Sequence, residues 1–170
     1  KVQEGDRLLS AKLTDGNQNI FLGTYLGKSI RFPEKQCRAM GRNTRGVKGI
    51  RLAEGDVVVG VDIVGEAGAM LTVTENGYGK RTDVSKYRTQ NRGGKGLIDI
   101  KTSPRNGPVV GQKLVDEDGE VMIITSAGKL IRTGAKGIKV QSRNTQGVKV
   151  ISLGEDDRVV SVARLRETAT

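Results

Sequence analysis

Three copies of one phase-locked pattern constrain this chain more than any other feature. Gly27, Gly77 and Gly128 each close a short β-prone segment, in Thr24-Tyr25-Leu26-Gly27, Thr74-Glu75-Asn76-Gly77 and Thr125-Ser126-Ala127-Gly128. An arginine stands four residues after each glycine (Arg31, Arg81, Arg132) and another fifteen after (Arg42, Arg92, Arg143). A further glycine follows nineteen residues after (Gly46, Gly96, Gly147), and the period is 50 and then 51 residues. A repeat of that length is one supersecondary unit, which buries its apolar face only by stacking on a neighbour.

Within each unit the pattern reads as strand. The β-branched or apolar runs are 7–13, 57–63 and 109–115, then 19–24, 69–74 and 120–125. Polar segments such as 14–17 and 116–119 join them, and Gly, Asn and Asp between short β-prone runs signal hairpins. A third strand follows the repeat glycine, at 28–32, 79–83 and 129–133, and a fourth follows a glycine-rich segment, at 47–52, 97–101 and 148–153. Residues 158–165 read as the first strand of a fourth unit, left incomplete.

Four strands in about 50 residues make a propeller-like blade. The expected fold is therefore all-β: one repeat domain with blades at about 4–54, 55–106 and 107–155, plus an extra strand at 156–166. Three blades and a strand do not close a ring, so the expectation is a partial ring, a fragment of a larger one. With 35% hydrophobic residues and only Tyr25, Tyr78, Tyr87, Phe21 and Phe32 as aromatics, several small cores are expected rather than one thick one. The first residue is Lys rather than Met, which points to a segment of something longer.

Charge placement speaks to the partner. The chain carries 29 Lys and Arg against 19 Asp and Glu, a net +10. Such an excess repels itself and usually serves a polyanion. Residues 35–51 hold six cations and no acid, residues 79–105 hold eight against Asp83 and Asp99, and residues 128–149 hold six and no acid. The acids gather in the first hairpin of each unit, as in Glu54, Asp56, Asp62 and Glu66, or Asp116, Glu117, Asp118 and Glu120. Because the repeat is structural, segregation in sequence becomes segregation in space, and one rim should be basic.

A continuous basic rim can follow a phosphate backbone around a curve. Its loops, 41–46, 90–96 and 142–147, carry glycine for close backbone approach and Asn, Thr and Gln as neutral donors. They also read as plain turns into the fourth strands, and both readings can hold at once. Aromatics are too few for a platform on which single strands stack, so double-stranded DNA is the expected partner, read by backbone and bendability. The candidate contacts are Arg38, Arg42, Arg45, Lys48, Lys80, Arg81, Arg88, Arg92, Lys95, Lys101, Arg132, Arg143 and Lys149. A rival reading is a propeller-like scaffold that docks acidic proteins.

Catalytic chemistry finds little support. Residues 23–29 imitate a phosphate-binding loop but are one residue short and lead into a strand rather than a helix. With no histidine and only Cys37, zinc sites and histidine-based triads are excluded. One cysteine forms no intrachain disulfide, and no apolar run approaches the ~20 residues that span a bilayer. No cofactor, metal or membrane is expected, and a cytoplasmic location is.

Glu75-Asn76-Gly77-Tyr78-Gly79-Lys80-Arg81-Thr82, Gly41-Arg42-Asn43-Thr44-Arg45-Gly46-Val47 and Arg143-Asn144-Thr145-Gln146-Gly147-Val148 resemble the C-terminal domain of DNA gyrase A subunits, with topoisomerase IV as a relative. The resemblance covers essentially the whole chain. It implies a β-pinwheel of six propeller-like blades that exchange strands, of which this chain matches about the last half. It also implies wrapping of DNA on the basic rim for an ATP-dependent type II topoisomerase that supercoils negatively. The implied partners are duplex DNA, the rest of the gyrase A subunit and the gyrase B subunit; self-association of the half-ring follows from its open edges. The family's box, Gln-Arg-Arg-Gly-Gly-Lys-Gly, normally lies in the first blade. Gln90, Asn91, Arg92, Gly93, Gly94, Lys95 and Gly96 match it at all but the second position, as a box-like copy in the middle repeat.

Overall fold

The computed structural model describes residue 2 and residues 4–165. Its strands are β1 (Asn19–Thr24), β2 (Lys28–Pro33), β3 (Val58–Val64), β4 (Ala69–Thr74), β5 (Tyr78–Asp83), β6 (Leu97–Ile98), β7 (Val109–Val115), β8 (Glu120–Thr125), β9 (Leu130–Gly134), β10 (Val148–Lys149) and β11 (Val159–Leu165). The second strands begin and end where the β-branched runs do. Among the described residues the only helical turns are short 3₁₀ segments at Glu34–Gln36, Val84–Lys86 and Ala135–Gly137, one after each third strand.

Strand order carries the main finding. The three sheets run β3-β1-β2-β6, β10-β5-β4-β7 and β11-β8-β9, all with antiparallel pairs. The first sheet takes its two middle strands from one sequence unit and both outer strands from the next. The second does the same, and the third borrows β11. The fold is thus all-β and propeller-like with exchanged strands. The spans 4–54, 55–106 and 107–155 are sequence repeats, and no sheet coincides with one.

Exchange explains where expectation and structure differ. No strand forms at 7–13 or at 47–52. Elsewhere a first strand pairs with the second strand of the preceding unit, and a fourth with its third; for these two segments no preceding unit lies in this sequence. The fourth strands are shorter than 97–101 and 148–153 because they peel away after two residues. The amides of Asp99 and Ile100 both turn onto the Gly27 carbonyl (2.8 and 3.2 Å), and those of Val150 and Ile151 onto that of Gly77. The extra strand forms as β11; residue 166 of the expected span lies outside the described residues.

Packing follows the exchange. Strand β3 packs on β7 and β7 on β11, so these strands form the hub, and β6 and β10 lie at the opposite, outer edges. Three modest cores result. Ile30, Phe32 and Ile50 bury on the first sheet; Phe21, Val64, Met70, Val84 and Tyr87 bury between the first and second; Leu71, Val73, Val115, Val121, Ile123 and Ile138 help fill the space before the third. Each fully buried aliphatic side chain contributes about 1.5–3 kcal/mol, so every unit depends on its neighbours for its core.

Candidate nucleic-acid interface

The second and third basic loops run into the outer-edge strands β6 and β10, which puts them on the rim, and the first loop is bonded to the second. Successive loops are also tied to one another. The Arg92 guanidinium donates to the Lys48 carbonyl (2.6 Å) and to that of Gln36 (3.1 Å). Arg143 repeats the first bond one unit on, donating to the Ile98 carbonyl at 3.0 Å. Backbone bonds join the same loops: Gly93 N to Gly49 O (2.6 Å), Arg51 N to Gly94 O (2.8 Å) and Lys101 N to Thr145 O (2.8 Å). The loop arginines therefore act as staples between units, and the three basic segments form one contiguous edge.

The box-like segment is built for this clasp. The Gln90 amide donates to Arg31 O, and the Arg92 amide to Gln36 Oε1 at 2.6 Å. Gly96 has φ +70°, and a Cβ there would lie 2.4 Å from the Ser29 carbonyl oxygen, so only glycine fits. Of the seven box-like residues, Asn91 and Lys95 are exposed and the other five are half-buried. The motif holds the rim together and offers charge from its outer side.

The thirteen candidate contacts divide into groups. Arg38, Arg42, Arg45, Lys48, Arg88, Lys95, Lys101 and Lys149 are exposed, and among the described residues none of these eight is in an ion pair with a carboxylate. Arg92 and Arg143 are half-buried, their guanidinium groups partly spent on the staples. Two candidates are corrected outright. Lys80 is fully buried, its Nζ donating to the carbonyls of Ser142 (2.6 Å) and Arg143 (2.7 Å). Arg81 is buried with Nε on Ile138 O at 2.8 Å. Neither reaches a phosphate, because each already holds carbonyls of the next unit. Arg132 is exposed but is ion-paired and hydrogen-bonded to Glu120, which holds its pKa above the ordinary arginine value. Its charge is neutralised locally.

The acids include structural members as well. Asp56 is buried and accepts from the Leu26 amide at 2.9 Å; Asp157 accepts from that of Ala127 at 3.0 Å. Both fasten the hairpin of the repeat glycine. Glu54, Glu66, Asp116, Glu117 and Asp118 are exposed and lie outside the strands, Glu66 in an ion pair with Arg31. The aromatics are mostly interior: Phe21, Phe32 and Tyr87 are buried, the first and last meeting edge to face at 5.1 Å, while Arg105 sits over the ring of Tyr78 at 5.0 Å.

A polar cluster within the second sheet escaped sequence reasoning. Asp99 is fully buried and accepts from Thr72 Oγ1 (2.8 Å), Tyr87 Oη and Gln112 Nε2 (3.3 Å). Burial pushes the Lys80 amine down to about 8 against the opposing pull of Asp99, while burial and then Asp99 push the Tyr87 hydroxyl up. The signal was present in the repeat: three residues after the repeat glycine stand Ile30, Lys80 and Ile131, and the odd one out is the buried charge.

Comparison with known proteins agrees with this geometry. The family described as "DNA gyrase C-terminal domain, beta-propeller" matches residues 18–65, 69–111 and 119–166. The DNA gyrase A subunit of Escherichia coli K12 is 48% identical over 167 residues, and that of Staphylococcus aureus MRSA252 is 46% identical over 169. Each alignment covers 98% of this chain but only 19% of the relative, so the chain spans about a fifth of those subunits. A solved DNA gyrase A C-terminal domain superposes with a TM-score of 0.90 at 32% identity, covering 98% of this chain and 57% of that one. The C-terminal domain of a DNA topoisomerase IV shares the fold, with a TM-score of 0.85 at 24% identity over 91% of this chain and 48% of that one. The chain belongs to the family of DNA gyrase C-terminal domains of the beta-propeller type.

Proposed function

We propose that this chain binds double-stranded DNA without sequence preference and bends or wraps it along the basic rim, as the DNA-contacting part of a gyrase A subunit. The reading rests above all on the stapling of successive loops, through Arg92 to Lys48 O and Arg143 to Ile98 O. Stapling makes one track of exposed, unpaired cations out of three separate segments. The contacts assigned are Arg38, Arg42, Arg45, Lys48, Arg88, Lys95, Lys101 and Lys149, with Arg92 and Arg143 contributing from the staples. Phosphate neutralisation supplies the affinity, and the curvature of the track supplies the bend.

In this reading the chain is one repeat domain within a larger pinwheel. It has no catalytic role of its own and serves an ATP-dependent type II topoisomerase that supercoils DNA negatively, in the cytoplasm, with the remainder of the A subunit and the B subunit as partners. Among the described residues no helix is long and apolar enough to cross a membrane. Among the described residues strand β9 leaves one edge unpaired, with Leu130 exposed, and such an edge invites a further unit or a second copy of the chain. Light scattering over a concentration series tests the second copy: a growing dimer supports it, and a monomer throughout ends it.

A random-sequence duplex with a fluorescent dye at each end tests the main proposal. Retardation at low salt together with a shortened end-to-end distance is expected. Retardation with an unchanged distance would refute bending, and no retardation would refute DNA binding itself.

A further inference from the structure

The buried polar cluster has no counterpart in the other two units. Lys80 stands where Ile30 and Ile131 stand, Tyr87 where Cys37 and Ile138 stand, and Asp99 where Gly49 and Val150 stand. In the strand register Thr72 pairs with Gln112, whereas Leu22 pairs with Val61 and Ile123 with Val162. Five positions that are apolar or glycine elsewhere are polar here. Such a cluster is a poor way to gain stability, because buried charges cost desolvation and an apolar set of similar volume does as well or better. The cluster is also incompletely satisfied, since Gln112 Oε1 finds no donor among the described residues. Something other than stability accounts for it.

The direction in which Lys80 points supplies the answer. Its ammonium group holds the carbonyls of Ser142 and Arg143 in the third basic loop, one unit away. Thr82 Oγ1 donates to Gln141 O at 2.9 Å, and Asn106 Nδ2 to Gln146 O at 3.0 Å, so the same unit grips that loop along its length. The middle loop is held differently, by the Gln36 side chain on the Arg92 amide and by backbone bonds from Gln90 to Arg31 O and from Gly93 to Gly49 O. Ile30 occupies the lysine's place and offers Gly94 only an apolar neighbour, 3.6 Å from where its Cβ would stand. Asp99 lies fully buried beside Lys80 and keeps a compensating charge within the sheet.

We infer that Lys80, with its buried partner Asp99, is a positioning residue that pins the third basic loop, so that Arg143 and Lys149 are presented to DNA from a fixed stretch of backbone. The inference rests on the duplex-binding reading for its purpose but not for its geometry. Lys80 itself touches no DNA; it acts through the two carbonyls.

Backbone amide order parameters of the full chain test the tether without DNA. Residues 142–144 should be rigid, near 0.85. Values in the flexible range, below about 0.6, would overturn the inference. Replacing the cluster with residues of the third unit (T72I, K80I, Y87I, D99V and Q112V together) avoids leaving Asp99 unpaired. The exchanged chain should melt cooperatively at or above the wild-type temperature, lose order at 142–144 and bind random-sequence duplex several-fold more weakly. Unchanged order and affinity would make Lys80 a core-filling residue only. Should the exchanged chain not fold, the wild-type order parameters still decide. Wild-type chain that is ordered as expected yet fails to bind duplex would refute the DNA reading and leave the tether standing.

Discussion

The inner junctions and the last described unit place one arginine in two roles. Arg31 and Arg81 sit four residues after their repeat glycines and are buried, with guanidinium groups on carbonyls of the following unit: Gly65 at 2.9 Å for Arg31, Ile138 at 2.8 Å for Arg81. Arg132 holds the same place in the pattern, yet it is exposed and turned back onto Glu120. The glycines tell the same story. A Cβ on Gly27 would meet Ile100 O at 2.3 Å and one on Gly77 would meet Ile151 O at 2.7 Å, whereas one on Gly128 would meet nothing within 4 Å among the described residues. A repeat position thus fixes what a residue can do, and the presence of a following unit decides whether it does so. Arginine in a basic protein is not by itself a phosphate contact.

Substitutions at matched positions should pull this comparison apart. The largest difference is expected at the arginines. R81M strands carbonyls that the guanidinium satisfied and should destabilise the chain by about 2–3 kcal/mol in urea unfolding. R132M should leave the unfolding midpoint at the wild-type value. Equal effects would mean that the buried contacts carry no weight.

The loop glycines should differ less. Gly46 and Gly96 both have positive φ, but only Gly96 lies against a backbone oxygen of its neighbour. G96A should cost about 2 kcal/mol or more, the sum of conformational strain and a clash, while G46A should cost about 1 kcal/mol from conformation alone. Matching losses would argue that the second loop does not dock as described.

Rim charge should affect binding and leave stability alone. Replacing Lys48, Lys95 and Lys149 with glutamine should flatten the dependence of log K on log salt by roughly 0.9 per residue, with no change in melting. A similar flattening from R132Q would contradict its neutralisation by Glu120.

The junction chemistry also predicts a pH dependence with an unusual sign. Lys80, facing Asp99, Tyr87 and the Arg143 backbone, has a folded pKa of about 8 against an ordinary value of 10.5. Between those values the unfolded chain holds a proton that the folded one has released, so stability should rise with pH. Above about pH 10 the sign reverses, because an unfolded tyrosine ionises there while the buried Tyr87 hydroxyl keeps its proton. The five-residue exchange removes both groups and should abolish both trends.

Much of this was legible in the residues. The repeat glycines, the β-branched runs and the turn residues located the middle strands of every sheet, because hairpins are local. Strand exchange was not legible, since pairing partners fifty residues apart leave no mark in periodicity; it entered only through the resemblance. The rim followed from charge segregation, and Arg38, Arg42, Arg45 and Lys48 are exposed as expected. Lys80 and Arg81 were misread because a cation in a strand looks the same whether it faces water or the carbonyls of the next unit. Aligning the three repeats position by position would have separated Lys80 from its isoleucine equivalents.

The central claim is that the stapled loops offer one continuous row of phosphate contacts, and salt dependence tests it most directly. Binding of the chain to random-sequence duplex should weaken steeply between 50 and 200 mM salt, by roughly 10³–10⁵ if about 6–10 phosphates are neutralised together. A change of only a few-fold over that range, the mark of one or two isolated contacts, would contradict it.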